Sequence, residues 1–192
     1  MLIKLTLLFF IITIYTLVRY LVFGSVTIHH IPVYLMNKSI ALLAVCCLFF
    51  AILNSLKPLK QTKKWAMAAF HFTYIHVVIS AIIFNREYFP KLFDSSQMNL
   101  TGELTVLFGV LASYIFWQDN SHRLSLLKSN IIRPKVLRSI ALIFILGHLL
   151  AMGLNGWLNF ALWNGGLPPI SLLSFIIVMI SLLLLVKYHN VR

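Results

Sequence analysis

The sequence predicts an all-α integral membrane protein, a six-transmembrane-helix bundle with both termini cytoplasmic. The first observation is composition: of 192 residues, 60% are hydrophobic and 10% are charged, a balance suited to lipid rather than water. The second is repetition, because apolar runs of about twenty residues, each long enough to cross a hydrocarbon core ~30 Å thick, recur along the whole length. The third is that basic residues gather in alternate connections. These connections are short and no soluble domain is expected at either end, so residues 1–192 read as a single transmembrane domain. A net charge of +12 would suggest nucleic acid in a soluble protein. Distributed in this way it reports topology instead, and the expected partner is the lipid bilayer, with no nucleic acid.

The first span covers 3–23. MLIK ahead of an apolar run could pass for a signal peptide, but GSV at 24–26 is a poor cleavage pattern and the segment is read as a retained helix. Arg19, near its outer end, is placed to snorkel toward the headgroups. The second span, 39–56, holds adjacent Cys46 and Cys47. Neighbouring helical residues point about 100° apart, which argues against a mutual disulfide and for two small buried apolar side chains. A connection with Lys57, Lys60, Lys63 and Lys64 leads to the third span, 65–85. The outer loop that follows contains Glu87, Asp94 and the sequon Asn99-Leu100-Thr101, a pattern too common by chance to carry weight. The fourth span, 102–118, includes Glu103, and the connection after it carries Arg123, Lys128, Arg133, Lys135 and Arg138. The fifth span covers 137–155, and Gly165, Gly166, Pro168 and Pro169 form an outer turn before the sixth, 170–187. With Lys4, Lys187 and Arg192 at the ends, twelve of the sixteen basic residues fall on one side, whereas Glu87, Asp94 and Glu103 fall on the other. The positive-inside rule therefore places both termini and both basic connections in the cytoplasm.

The catalytic inventory is thin: the chain has no Ser/His/Asp set, paired carboxylates, Gly-rich nucleotide loop or CxxC. That leaves seven histidines. His29 and His30 lie in the outer loop, His122 in a basic connection and His189 in the tail, all read as solvated surface residues. His76, in TYIHVVI, follows Lys64 by twelve residues, and His148, in ILGHLLA, follows Arg138 by ten. At ~1.5 Å per residue the two rings stand about 18 and 15 Å beyond the charged boundary, near the middle of the bilayer. Ionisable groups at that depth are costly enough to suggest function. Two imidazoles at one depth could ligate a single metal centre from opposite sides, and haem iron suits lipid. They could equally be two separate polar residues that hold helices together. Gly147 beside His148, and Thr73, Ser80, Ala68 and Ala69 on the helix of His76, are expected to leave room for a flat ring. His71 lies five residues from His76, about 140° around the helix, and is expected to bond to a neighbouring helix or backbone carbonyl instead.

Three stretches carry a family likeness. LNSLKPLKQTKKW at 53–65, WAMAAFHFTYIHVVISAI at 65–82 and RPKVLRSIALIFILGHLL at 133–150 resemble, in order and spacing, parts of the ferric reductase-like transmembrane domain. That family includes the membrane cytochromes of ferric reductases and NADPH oxidases, and the haem-binding membrane subunit of the periplasmic methionine sulfoxide reductase system. The resemblance covers 38–157 as a haem-binding core and implies that His76 and His148 are axial ligands to haem b. Family members commonly hold two stacked haems, with a second histidine thirteen or fourteen residues earlier on each ligand helix. Here those places hold Thr62 or Lys63 and Pro134 or Lys135, and no histidine occurs in 57–70 or 123–147. The resemblance thus implies one haem b per chain. It implies a membrane b-type cytochrome that carries electrons from a quinol or flavin donor to an acceptor on the outer side, with quinone or flavin as a further cofactor and a separate redox protein or quinol as partner. A bacterial inner, cytoplasmic membrane is the expected location. The alternative is a non-catalytic membrane assembly or interaction subunit that keeps the fold without electron transfer. A small transporter is less well supported, since no inverted repeat or broken helix with paired acids is evident.

Overall fold

In hydrocarbon every backbone N–H and C=O must find its partner within the chain, so an apolar run that crosses a membrane does so as a helix. The computed structural model describes residues 1–24, 31–56, 61–124 and 134–187. Over these the chain forms six long helices: α1 Leu2–Leu17, α2 Ile31–Ser55, α3 Thr62–Ile82, α4 Leu100–Leu124, α5 Pro134–Trp157 and α6 Ile170–Lys187. All six are long and apolar enough to span a membrane, which makes this a multi-pass, all-α membrane protein. A π-helical turn, Val18–Val22, continues α1. His29, His30 and His189, with Lys57, Lys60, Lys128, Arg133 and Arg192, lie outside the described residues, as do the side chains of His122, Arg123, Pro134 and Lys135.

Helix α2 packs against α1, α3 and α6, while α5 packs against α4 and α6. A thinner contact between α3 and α4 closes these into a ring, with α1 outside it on α2. One apolar core joins Leu42, Leu43, Cys47 and Ala51 of α2 to Trp65 and Ala69 of α3, with Ile12 and Ile170 from α1 and α6. Cys47 is fully buried in it and both cysteines are free thiols, in keeping with their reading as small apolar side chains. A second core joins Ile52 of α2 to Leu142, Leu146 and Leu149 of α5 and Val178 and Leu185 of α6.

Polarity is arranged inside out. Thr16, Asn37, Ser39, Thr105, Ser174 and Ser181 are buried, whereas Phe10, Ile14, Val78, Ile82, Val110 and Trp117 are exposed. In water that arrangement would be ruinous; in lipid it gives the bundle its adhesion, since hydrogen bonds and close packing, rather than apolar burial, hold membrane helices together. Ser39 donates to Thr16 Oγ1 at 3.0 Å and Thr16 donates to the Ile12 carbonyl at 2.6 Å, tying α2 to α1. Trp157 Nε1 donates to Ser171 Oγ at 2.9 Å between α5 and α6.

The connections are more ordered than a polar loop requires. Between α3 and α4 a two-residue hairpin, β1 Phe93–Asp94 with β2 Gln97–Met98, turns through Ser95 at φ 59°. Asn99, the first residue of the sequon, caps α4: its Oδ1 accepts the Gly102 amide at 2.9 Å. The glycine turn before α6 is present as expected, with Gly165 at φ 59°, and a Cβ there would stand 2.4 Å from the Phe23 ring.

Arg19 departs from expectation. It does not snorkel outward but lies 4% exposed, within the π-helical turn at the end of α1. That wider turn and the neighbouring Tyr20 ring, 5.4 Å from its guanidinium carbon, hold it inside the protein.

Candidate functional site

His76 and His148 are each the fifteenth residue of their helix, α3 and α5. Both lie toward the end of the bundle opposite the two basic connections. Their rings are near enough to act on one another electrostatically. They are held by different neighbours: α3 rests chiefly on α2, and α5 on α4 and α6.

Each ring is oriented by one hydrogen bond through Nδ1. His148 Nδ1 meets the Thr105 backbone carbonyl of α4 at 2.8 Å. A carbonyl oxygen only accepts, so Nδ1 carries the proton and Nε2 keeps its lone pair. His76 Nδ1 meets Asn37 Oδ1 of α2 at 2.7 Å. The Asn37 amide also meets Ser80, one turn beyond His76 on α3, its Nδ2 lying 3.0 Å and its Oδ1 3.3 Å from Ser80 Oγ. With Oδ1 placed toward the imidazole, the oxygen accepts and His76 donates from Nδ1. Neither Nε2 has a hydrogen-bond partner among the described residues.

The local sequence explains how His148 reaches a carbonyl already engaged within a helix. In α4 the Thr105 oxygen accepts the amide of Gly109, four residues on. A Cβ at Gly109 would stand 3.0 Å from His148 Nδ1 and 3.4 Å from its Cε1. Glycine thus lets the ring lie against the helix and take the second lone pair of the same oxygen. Asn37 is 3% exposed, and its burial deep in α2 is tolerated because both ends of its amide are bonded.

The small residues expected to make room for a flat ring serve other purposes. A Cβ at Gly147 would stand 3.1 Å from the Phe108 ring, so that glycine admits an aromatic side chain of α4. Ala69 is fully buried in the α2–α3 core, with Ala68 packed beside it. Thr73 donates to the Ala69 carbonyl at 2.8 Å, and only Ser80 belongs to the surroundings of His76. His71 does not bond to a neighbouring helix or carbonyl among the described residues. Its rotation about α3 turns it to the exposed side, where its ring meets Phe70 edge-on with centroids 5.7 Å apart.

Sequence reasoning missed Asn37, Gly109 and the Thr105 carbonyl. Asn37 carried a signal, a lone amide beside an apolar run, but with the second span begun at 39 it fell in the preceding connection. The Thr105 oxygen is a backbone atom and carries no side-chain signal. Also unforeseen is the pairing of Asp119 with Arg138 at 3.3 Å, between α4 and α5 at the other end of the bundle.

Among the described residues no group of three or more His, Cys, Asp or Glu side chains gathers. The candidate donors are thus two imidazoles with free Nε2 atoms, which could hold a haem, whose porphyrin would supply the remaining ligands to the iron. No protein-family model matches the chain, and no curated protein matches it.

Proposed function

We propose that this protein is a membrane b-type cytochrome of the ferric reductase-like kind, with one haem held between His76 and His148. The observation that carries the reading is the matched state of the two imidazoles, each committed through Nδ1–H to a carbonyl oxygen and each presenting an unbonded Nε2. This is the tautomer and orientation a histidine needs to act as a metal ligand, and the acceptor behind it raises the basicity of the ligating nitrogen.

When bound, haem would supply a one-electron redox centre. The chain's own residues do the rest. Asn37 and the Thr105 carbonyl fix the planes of the two rings, and Ser80 bonds to the Asn37 amide. With Thr62 or Lys63 and Pro134 or Lys135 where an earlier pair of histidines would stand, the reading is one haem per chain. Electrons would then enter from quinol or flavin within the membrane rather than directly from a cytoplasmic carrier, and leave to an acceptor or partner protein on the outer side. A bacterial cytoplasmic membrane is the setting proposed.

Pyridine haemochrome analysis of purified protein should count about one haem b per chain, with a low-spin six-coordinate spectrum. Either His76→Ala or His148→Ala should abolish that spectrum, and His71→Ala should leave it intact. A folded sample grown with ample haem yet holding none would sink the cytochrome reading in favour of an assembly or interaction subunit.

A further inference from the structure

Two cations, Arg19 of the π-helical turn and Lys38 of α2, share the Tyr20 ring. Arg19 is 96% buried by its 4% exposure, and its Nε and Nη1 meet no acceptor among the described residues. Lys38, half-buried and next to Asn37 in α2, holds its ammonium 5.2 Å from the centroid of the Tyr20 ring and 4.4 Å from that of Tyr34. Arg19 lies over the same Tyr20 ring at 5.4 Å. The chain has four carboxylate side chains. Glu87, Asp94 and Glu103 are exposed, and Asp119 is paired with Arg138. Arg19 also bonds to the Tyr20 side chain and Lys38 to that of Tyr34, but neutral phenols and ring faces compensate poorly for two like charges set close together, whereas a shared oxyanion would satisfy the open Arg19 N–H groups and cancel the repulsion.

We infer that Arg19 and Lys38 form an oxyanion site that takes the acid group of an amphipathic ligand seated in the bundle. Depth decides for an amphiphile over a free ion. Arg19 stands three residues inside the end of the first membrane span and Lys38 five residues inside the start of the second, about 5 to 8 Å below that end at 1.5 Å per residue. An anion there must be carried in on an apolar body. The π-helical turn that bears Arg19 is a second sign, since such turns interrupt a helix at a cost and recur where a side chain must be re-aimed toward a ligand. Two amphiphiles offer the chemistry: a haem through its propionate carboxylates, which the nearness of Lys38 to His76 would favour, and an anionic phospholipid through its phosphate. The inference stands independently of the haem assignment.

Two pairs of probes separate the sources. Haemin and its dimethyl ester, which lacks free carboxylates, are titrated into protein purified without haem. Retention of phosphatidylglycerol against phosphatidylcholine is measured by native mass spectrometry. At least one acidic probe should bind wild-type protein about tenfold or more tightly than its counterpart. That preference should vanish in Arg19→Met and largely survive in Arg19→Lys. Should Arg19→Met fail to fold, Lys38→Met and the wild-type preference still decide. Equal binding within each pair by wild type, or a preference unchanged by the loss of either charge, overturns the inference. The haem reading is judged apart from this. Haemin and its ester binding equally, with no lipid preference, would leave that reading standing and remove the oxyanion site. A phosphatidylglycerol preference that depends on Arg19, in a protein that binds neither haem form, would do the reverse.

Discussion

At Asn37 the chain places a side-chain carbonyl 2.7 Å from His76 Nδ1, and at Thr105 a main-chain carbonyl 2.8 Å from His148 Nδ1. Groups that orient a ligand histidine typically change metal affinity by about 10- to 100-fold when removed. Asn37→Leu is of similar size but lacks the acceptor, so the His76 ring loses both its plane and its tautomer preference. Haem affinity measured by titration should fall within that range while the helices stay folded. Gly109→Val acts from the other side: the added side chain occupies space 3.0 Å from His148 Nδ1, and the ring must leave the Thr105 oxygen. Unchanged affinity in both variants would show that the two hydrogen bonds serve only to satisfy buried polar atoms. The histidines themselves could be read from the sequence, because an imidazole within an apolar run is conspicuous. Their supports could not, since one is a backbone atom and the other lay beyond the apolar stretch that seemed to begin the helix.

Helices α4 and α5 are joined at both ends by features absent from a hydropathy profile. Near one end Phe108 fills the notch at Gly147 and the His148 ring lies on Gly109. Toward the other, Arg138 Nε donates to Asp119 Oδ2 at 3.3 Å, with the Asp119 side chain 6% exposed and that of Arg138 29% exposed. Breaking a buried pair from one side leaves an uncompensated charge and costs roughly 3–5 kcal/mol. Partial exposure of Arg138 should bring Arg138→Met to the low end of that range. Replacing both, as Asp119→Leu with Arg138→Met, should recover much of the loss, because neither member of the pair is then buried without the other. Thermal unfolding of the two variants in one detergent would decide, and a double variant no more stable than the single one would refute the pairing as the cause. The number and type of elements were legible because lipid admits few alternatives to a helix. The boundaries were less so: α2 begins at Ile31 rather than 39, since a polar Asn37-Lys38 pair reads as a loop until its partners on α1 and α3 are known. The hairpin at 93–98 was missed because each strand has two residues, too few to leave an alternating pattern.

For the molecule as a whole, the open question is which way the bundle faces. Its inside-out polarity and six spans require a bilayer but are indifferent to direction. Direction comes from charge. The segments 57–64 and 123–138 hold nine basic residues, and each lysine or arginine near a span resists translocation. Asp94 and the Gly165-Gly166 turn lie at the opposite end, with Asn37, His76, Thr105 and His148 nearer to that end than to the basic one. Reporter fusions at 60 and 128 should therefore read cytoplasmic, and fusions at 94 and 165 external. That outcome would put the histidine pair in the outer half of the membrane, where electrons reach an external acceptor over a short gap and a cytoplasmic donor over a long one. An external signal at 60 would reverse the bundle. The same two imidazoles would then lie close to the cytoplasmic surface, within reach of a soluble flavoprotein, and the preference for quinol as donor would have to be abandoned.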